Sequence, residues 1–233
     1  MANYLIIGGS SGIGQAVVKA LDCSENRIYA SYFSGENLTK LPNVIYFHHD
    51  VRKAFPSLDF LPNNLDGLVY CPGAIDLKPF GRISPSQFID DYDLQVVGAI
   101  RVIQGVLPLM TKENLSSIVL FSTVAVQMGY PFHSKVSASK GAIEGLTKAL
   151  AAEFAPKIRI NAIAPSLTET PLAARLLNTE EKKNANALRH PLKRIGKVED
   201  LANITEFLLS PKSSWITGQI IHVDGGMSQL NVG

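Results

Sequence analysis

The sequence predicts a single doubly wound α/β domain, a seven-stranded parallel sheet with helices on both faces. Three observations predict it. Apolar, β-branched runs of four to eight residues alternate with helix-like segments along the whole chain. A glycine-rich turn, Gly8-Gly9-Ser10-Ser11-Gly12-Ile13-Gly14, stands between the apolar run Tyr4-Leu5-Ile6-Ile7 and the helical pattern Gln15 to Leu21. Finally, 233 residues at 46% hydrophobic content suffice for a sizeable core within one domain.

Taken in order, the expected strands are Asn3 to Ile7, Arg27 to Ser31, Val44 to His48, Leu65 to Cys71, Ser117 to Ser122, Ile158 to Ala164 and Gln219 to Val223. Helices are expected at Gly12 to Leu21, Pro85 to Met110 (one helix or two in sequence), Ser134 to Phe154 and Val198 to Ser210. The segment Thr168 to Ile195 carries Pro171 and Pro191 among Ala, Leu, Asn and Lys, and reads as a helical flap over a substrate. In the glycine turn, Gly8 permits the tight bend, Gly12 lets backbone N–H groups approach a pyrophosphate, and Gly14 lets helix and strand pack closely. Ser10, Ser11 and Ile13 complete that expected cofactor loop. An ordinary Gly/Ser loop remains the alternative for these residues taken alone.

Charge and cysteine usage exclude several classes. The 22 basic and 20 acidic residues nearly cancel, which gives no footprint for nucleic acid and no reason to invoke a membrane surface. Two cysteines in unrelated contexts, Cys23 and Cys71, make no disulfide framework, and a cytoplasmic setting is expected. The N-terminal apolar run lacks a basic flank, so it is not read as a signal peptide. Charges and glycines interrupt every apolar run, and no transmembrane helix is expected. His48 and His49 point to opposite faces of their strand and cannot chelate one ion together, so no metal is expected.

Several local patterns then coincide in order. Besides the Gly8/Gly12/Gly14 turn there are Asp50-Val51 after the third strand, Gly73 within Cys71-Pro72-Gly73-Ala74, and Ser137-Ala138-Ser139-Lys140-Gly141-Ala142 with Gly145-Leu146-Thr147-Lys148. Asn161-Ala162-Ile163-Ala164-Pro165 with Thr168, Thr170 and Pro171 follows, and Thr217-Gly218 and Val223-Asp224-Gly225-Gly226 close the chain. Together they resemble the short-chain dehydrogenase/reductase family, over nearly the whole length. The resemblance implies a Rossmann-type fold and a nicotinamide dinucleotide held by the glycine turn, by Asp50 and Val51 at adenine, and by Gly73, Lys140, Pro165 and Thr168 at the nicotinamide end. It also implies a small-molecule carbonyl or alcohol substrate, and a homodimer or homotetramer in which the 85–110 and 134–154 helices meet their copies. The small residues Ala138, Gly141, Ala142 and Gly145 suit such packing, or packing within one chain.

The family's acid/base chemistry uses a Tyr four residues before the Lys, on the same helix face. Here that position is Val136, which has no proton to give. Thr123 stands where the family keeps a substrate-binding Ser, and Gln95, three residues ahead of Gly98, stands where it keeps an Asn. The expected catalytic set is therefore Lys140, Thr123 and Gln95, with His133 as a substitute proton donor or else a surface or capping histidine. Tyr130 is the other candidate donor, or a loop residue packed over the core. Cys71 reads as an inert strand cysteine. The second strand ends Ala30-Ser31-Tyr32-Phe33-Ser34 with no acid before Glu36, and the Ser31 and Ser34 hydroxyls favour NADP(H) over NAD(H). Two functions follow: an oxidoreductase with an altered proton relay, or a dinucleotide-binding sensor or scaffold without turnover.

Overall fold

The computed structural model describes residues 1–35, 38–56, 59–110 and 115–231. Seven parallel strands, β1 (Ala2–Ile7), β2 (Asn26–Tyr32), β3 (Val44–His48), β4 (Gly67–Tyr70), β5 (Ser116–Phe121), β6 (Ile158–Pro165) and β7 (Ile220–Val223), form one sheet in the order β3-β2-β1-β4-β5-β6-β7. The chain thus winds outward from β1 in one direction and restarts on its other side at β4. Loops leaving β1 and β4 part there, opening a crevice at the carboxyl edge of the sheet.

Successive side chains on a strand face opposite ways, and the core divides accordingly. Leu5, Ile7, Leu68, Tyr70, Ile118, Leu120 and Ile160 pack on one face with the helices between residues 85 and 154. Tyr4, Ile6, Ile28, Val69, Val119 and Ile163 pack on the other with α1 (Gly12–Leu21) and α7 (Val198–Leu209). The α7 carboxyl end is closed by a buried cation: the Arg159 guanidinium donates to the carbonyls of Leu208 (2.9 Å) and Ser210 (3.1 Å). A positive charge satisfying the last carbonyls of a helix also complements its dipole.

The expected Pro85–Met110 helix is a single run with an interruption: α2 (Pro85–Tyr92), a π turn (Asp93–Val97) and α3 (Gly98–Met110). At the turn the Gly98 N–H reaches back five residues to the Asp93 carbonyl, and the Tyr70 hydroxyl donates instead to the freed Leu94 carbonyl at 2.6 Å. A Cβ at Gly98 would run into that hydroxyl, so the glycine makes room for the insertion. A second strip of structure not expected from the sequence is α4 (Ala125–Met128), one turn before α5 (Ser134–Phe154). The flap carries a 3₁₀ turn (Pro171–Leu176) and α6 (Glu180–Arg189).

Contrary to expectation, the Pro85–Met110 run is long and apolar enough to cross a membrane. Half of its most apolar window is buried within the protein, and it carries Asp91 and Gln95 on its inner face, which is how a core helix is made.

The turn after β1 shows why its glycines are there. Gly8 and Gly12 have φ of 78° and 52°, in the left-handed region. A Cβ at Gly14 would overlap the Gly8 carbonyl oxygen, because α1 starts directly against the turn. Gly14→Ala is therefore expected to lower stability by about 1–3 kcal/mol, the usual cost of overpacking, read as a drop in the urea midpoint.

Candidate active site

At the crevice, the Ser11 side chain makes no capping bond to α1, so the helix amino terminus faces outward with its N–H groups available to an anion. Gly12 lies beside Thr170 and Pro171 of the flap, which brings the flap over the turn. Ser31 has a different place from the one expected. It is buried, and its hydroxyl accepts from the Gly8 N–H at 2.9 Å, so it fixes the glycine turn from below and does not project towards a 2′-phosphate. Val51 is likewise buried, packed at Gly98. Beside it in the expected adenine pair, the Asp50 carboxylate accepts from the Arg52 N–H (3.0 Å). Glu36 lies outside the described residues.

From the turn a cavity of about 450 Å³ extends under the flap, the size of a small-molecule site. Ile13, Gly73, Gln95, Thr123, His133, Val136, Lys140, Pro165 and Thr168 all line it, so the sheet edge brings together the expected nicotinamide-end and catalytic residues. Gly8, Ser10, Ser11, Gly12, Gly14, Ser31, Asp50 and Val51 are outside this lining, along the dinucleotide side of the edge.

The floor of the cavity is a buried polar cluster. Asp91, on α2, accepts from Gln95 Nε2 and from Ser139 Oγ, both at 2.7 Å, through the same carboxylate oxygen. Only the amide nitrogen can donate, so this pairing fixes the Gln95 amide with Oε1 turned away from Asp91. Gln95 is fully buried, and Oε1 has no hydrogen-bond partner among the described residues. It flanks Gly73 together with Lys140 Nζ: both atoms fall within 4 Å of the place a Gly73 side chain would occupy. Burial pushes the Lys140 ammonium down to about 8, with Asp91 and Cys71 opposing that shift. Burial also pushes the Cys71 thiol up to about 12, the inert cysteine expected.

Above the floor, Val136 lines the cavity one helical turn before Lys140, where its methyls leave no proton donor. The Thr123 hydroxyl accepts from the Ala125 N–H at 3.3 Å and still has its own hydrogen to give. His133 Nδ1 pairs with the Pro131 carbonyl at 2.8 Å; a carbonyl only accepts, so Nδ1 carries hydrogen and Nε2 is the free nitrogen. His133 occupies the N-cap position of α5 without making a side-chain capping bond. Tyr130 lies 5.4 Å from the His133 ring and beneath the Arg189 guanidinium. The flap is tied to the sheet by buried His190: Nδ1 donates to the Asn186 carbonyl (2.8 Å), so Nε2 accepts from Ser166 Oγ (2.9 Å). Among the described residues no group of three or more potential metal ligands occurs. His48 stacks against Phe33 while His49 is buried against Phe55, on opposite sides of the chain.

Asp91 was not legible as a site residue, and Ser139 only as part of a helix motif. The available signal was spacing: Asp91 precedes Gln95 by four residues, on the same helix face.

Comparison with known proteins extends this geometry. A family model described as enoyl-(acyl carrier protein) reductase matches residues 8–228. The 3-oxoacyl-(acyl-carrier-protein) reductase of Aquifex aeolicus is 32% identical, with 96% of each chain covered. The chain belongs to the short-chain dehydrogenase/reductase family. Its members are oxidoreductases, and the Bos taurus L-xylulose reductase is another relative at 32% identity over 95% of this chain and 94% of its own. Among solved structures, a short chain dehydrogenase family protein from Francisella tularensis superposes with a TM-score of 0.87 at 28% identity, covering 99% and 100% of the two chains. The Thermoplasma acidophilum aldohexose dehydrogenase gives 0.89 at 25% identity, covering 100% and 97%.

The floor cluster makes a measurable statement independent of activity. Following the Lys140 ε-methylene by NMR in isotope-labelled protein, we expect a titration near pH 8 in place of the usual value above 10. Asp91 favours the charged amine, so Asp91→Asn moves that titration to lower pH; an unmoved midpoint would show that the carboxylate does not act on the amine.

Proposed function

We propose that this protein is an NADP(H)-dependent oxidoreductase that interconverts a carbonyl and an alcohol, with Lys140 taking over the proton transfer that a tyrosine performs elsewhere in the family. The observation that carries the reading is the Lys140 amine, buried beside Gln95 Oε1 and Gly73 at the floor of a cavity that runs into the glycine turn. The residues present suit a dinucleotide: an uncapped helix amino terminus for a pyrophosphate, Asp50 for the adenosine end, and Gly73, Pro165 and Thr168 at the nicotinamide end. When bound, that cofactor supplies or accepts the hydride at the substrate carbon.

The protein's own residues supply the rest. Thr123 donates to the substrate oxygen and orients it. Lys140, as an ammonium, passes a proton to that oxygen as it gains negative charge during reduction, and regains a proton from solvent; in oxidation the neutral amine accepts the alcohol proton. Gln95 Oε1, unpartnered among the described residues and beside the amine at Gly73, offers an acceptor to a bound donor or to the ammonium once the site is occupied. His133, with Nε2 free at the cavity rim, is a second proton acceptor in oxidation, and it donates in reduction only as the imidazolium, with hydrogen on both ring nitrogens. A positioned acid or base contributes about 10²- to 10⁴-fold, whereas holding donor and acceptor together contributes more, so a reaction survives the loss of the phenol. NADP(H) is preferred over NAD(H) because the described residues ending β2, Ser31 to Gly35, bring no carboxylate to repel a 2′-phosphate.

The chain reads as one domain over residues 1–233, with 168–195 the substrate flap. A homodimer or homotetramer fits the α5 surface: Ala138 is exposed and nothing lies within 4 Å of a Gly145 side chain, so these small residues have no packing role within one chain. Sedimentation of Gly145→Glu against the parent, with a shift to monomer, checks it. A cytoplasmic setting goes with the separate free thiols Cys23 and Cys71.

A second reading has its own support in Val136: a dinucleotide-binding sensor or scaffold without turnover. NADPH oxidation against carbonyls that include 3-oxoacyl thioesters and ketoses separates the two. Turnover is expected, falling as pH rises through about 8 in the reductive direction and rising there in the oxidative one, because reduction needs the ammonium and oxidation the amine. Val136→Tyr is expected to raise the reductive rate roughly 10²-fold by restoring a phenol next to Lys140. Saturable NADPH binding with no turnover on any carbonyl would leave the sensor; absence of NADPH and NADH binding would remove both.

A further inference from the structure

We propose that the substrate carries an anionic group, a carboxylate or phosphate, which Arg175, Lys182 and Arg189 of the flap hold at the mouth of the cavity. The inference rests on the oxidoreductase reading above and names the substrate class for the same site.

The flap sorts its charges by direction. Lys182 and Arg189 fall on the face of α6 that lines the cavity, with Asn186 between them at helical spacing, and Arg175 lines it from the preceding 3₁₀ turn. The neighbouring Lys183 does not line the cavity and instead pairs with Glu169 (3.3 Å) and Glu180 (3.5 Å). Glu169 and Glu180 are thus engaged by Lys183, and the third acid of the flap, exposed Glu181, does not line the cavity. On the opposite wall, Asp76 stands between the lining residues Ile75 and Leu77, but its carboxylate is already held by Lys78 and Lys135, each at 3.0 Å. No Asp or Glu lines the cavity among the described residues. The three flap cations have no carboxylate partner among them either; Lys182 bonds only the Asn178 side-chain oxygen, at 2.8 Å. One sign of charge facing a concave site concentrates ligands of the other sign.

Position separates this from the dinucleotide's own phosphates. Gly12, where a pyrophosphate meets the α1 amino terminus, has Thr170 and Pro171 as its flap neighbours. The Arg189 guanidinium lies 5.6 Å from the centre of the Tyr130 ring, in the loop that leads through His133 to Val136. That contact holds the arginine at the substrate wall. Besides these cations the lining includes apolar Leu172 and Leu176 of the flap and Val136 of α5, surfaces that suit a hydrocarbon stretch of the substrate.

The probes are two matched pairs, acetoacetate with methyl acetoacetate and 4-oxopentanoate with its methyl ester, tested on NADPH-loaded protein by ligand-observed NMR and by NADPH oxidation. We expect each acid to bind and turn over roughly tenfold or more better than its ester, the size of one or two charge-assisted contacts. The Arg175→Gln/Lys182→Gln/Arg189→Gln variant is expected to collapse that ratio towards one, while Arg189→Lys retains most of it. Circular dichroism checks that the variants are folded. Equal binding of acid and ester overturns the proposal, as does an advantage that survives the triple substitution. Loss of NADPH affinity in the variant with the acid's advantage intact would assign the cations to the dinucleotide and overturn it too. Failure of the parent protein to bind or oxidise NADPH falls on the oxidoreductase reading alone, because the acid-to-ester binding ratio on free protein still decides this one.

Discussion

An ammonium group buried at the base of a cavity must have a compensating charge within reach, and in this protein that charge is the buried carboxylate of Asp91. The two are not in direct contact. Asp91 gives its hydrogen-bonding capacity to Gln95 and Ser139, and acts on Lys140 through space. A direct ion pair would favour the charged form more strongly, and no carboxylate at all would move the titration of Lys140 lower still. The indirect arrangement places its titration at about 8, where both forms are accessible. The same two bonds turn the Gln95 carbonyl oxygen towards Gly73 and Lys140, so one carboxylate sets both the charge and the geometry of the floor.

That cluster depends on the π turn that follows Asp91 and on the tyrosine that stabilises it. Tyr70 ends β4, and its hydroxyl takes the carbonyl that the helix ladder releases at Leu94. Gly98 then lets α3 continue against the sheet. A side chain on the strand thereby determines the helix's phase, and with it which residues after Gln95 face the core. Local widening of this kind inside a helix recurs at functional sites because it re-aims a side chain at little loss of helix.

Period and spacing made the sheet, its order of elements and the glycine turn legible, since these follow from alternation along the strands and from the absence of a Cβ at Gly8 and Gly14. Positions decided by contact between distant segments were not. Ser31 offers a hydroxyl at the end of β2 in either case; only the approach of Gly8 to it shows that the hydroxyl is spent beneath the turn. Asp91 sits beside exposed Asp90 in a helix whose acids would ordinarily face water, and its burial follows from Ser139, 48 residues away. In α6 the adjacent lysines 182 and 183 are equivalent by composition. Only the fold shows that Lys182 lines the cavity while Lys183 is engaged by Glu169, 14 residues earlier in the chain.

The exchange of a phenol for Val136 changes more than the inventory of proton donors. A tyrosine at that place would stand between Lys140 and the substrate and would mediate the amine's effect. With two methyl groups there instead, the cavity wall is apolar, and a low-dielectric surface strengthens whatever charge interaction remains across it. In the proposed reaction the substrate oxygen is then the strongest partner left for the ammonium, next to Gln95 Oε1. Negative charge developing on that oxygen during hydride transfer is stabilised by an amine whose pKa already favours giving up its proton. An acid group held by the flap would fix the substrate's far end, leaving the carbonyl to be aimed by Thr123 and Lys140. Proximity and a tuned amine together then take the place of the single positioned phenol.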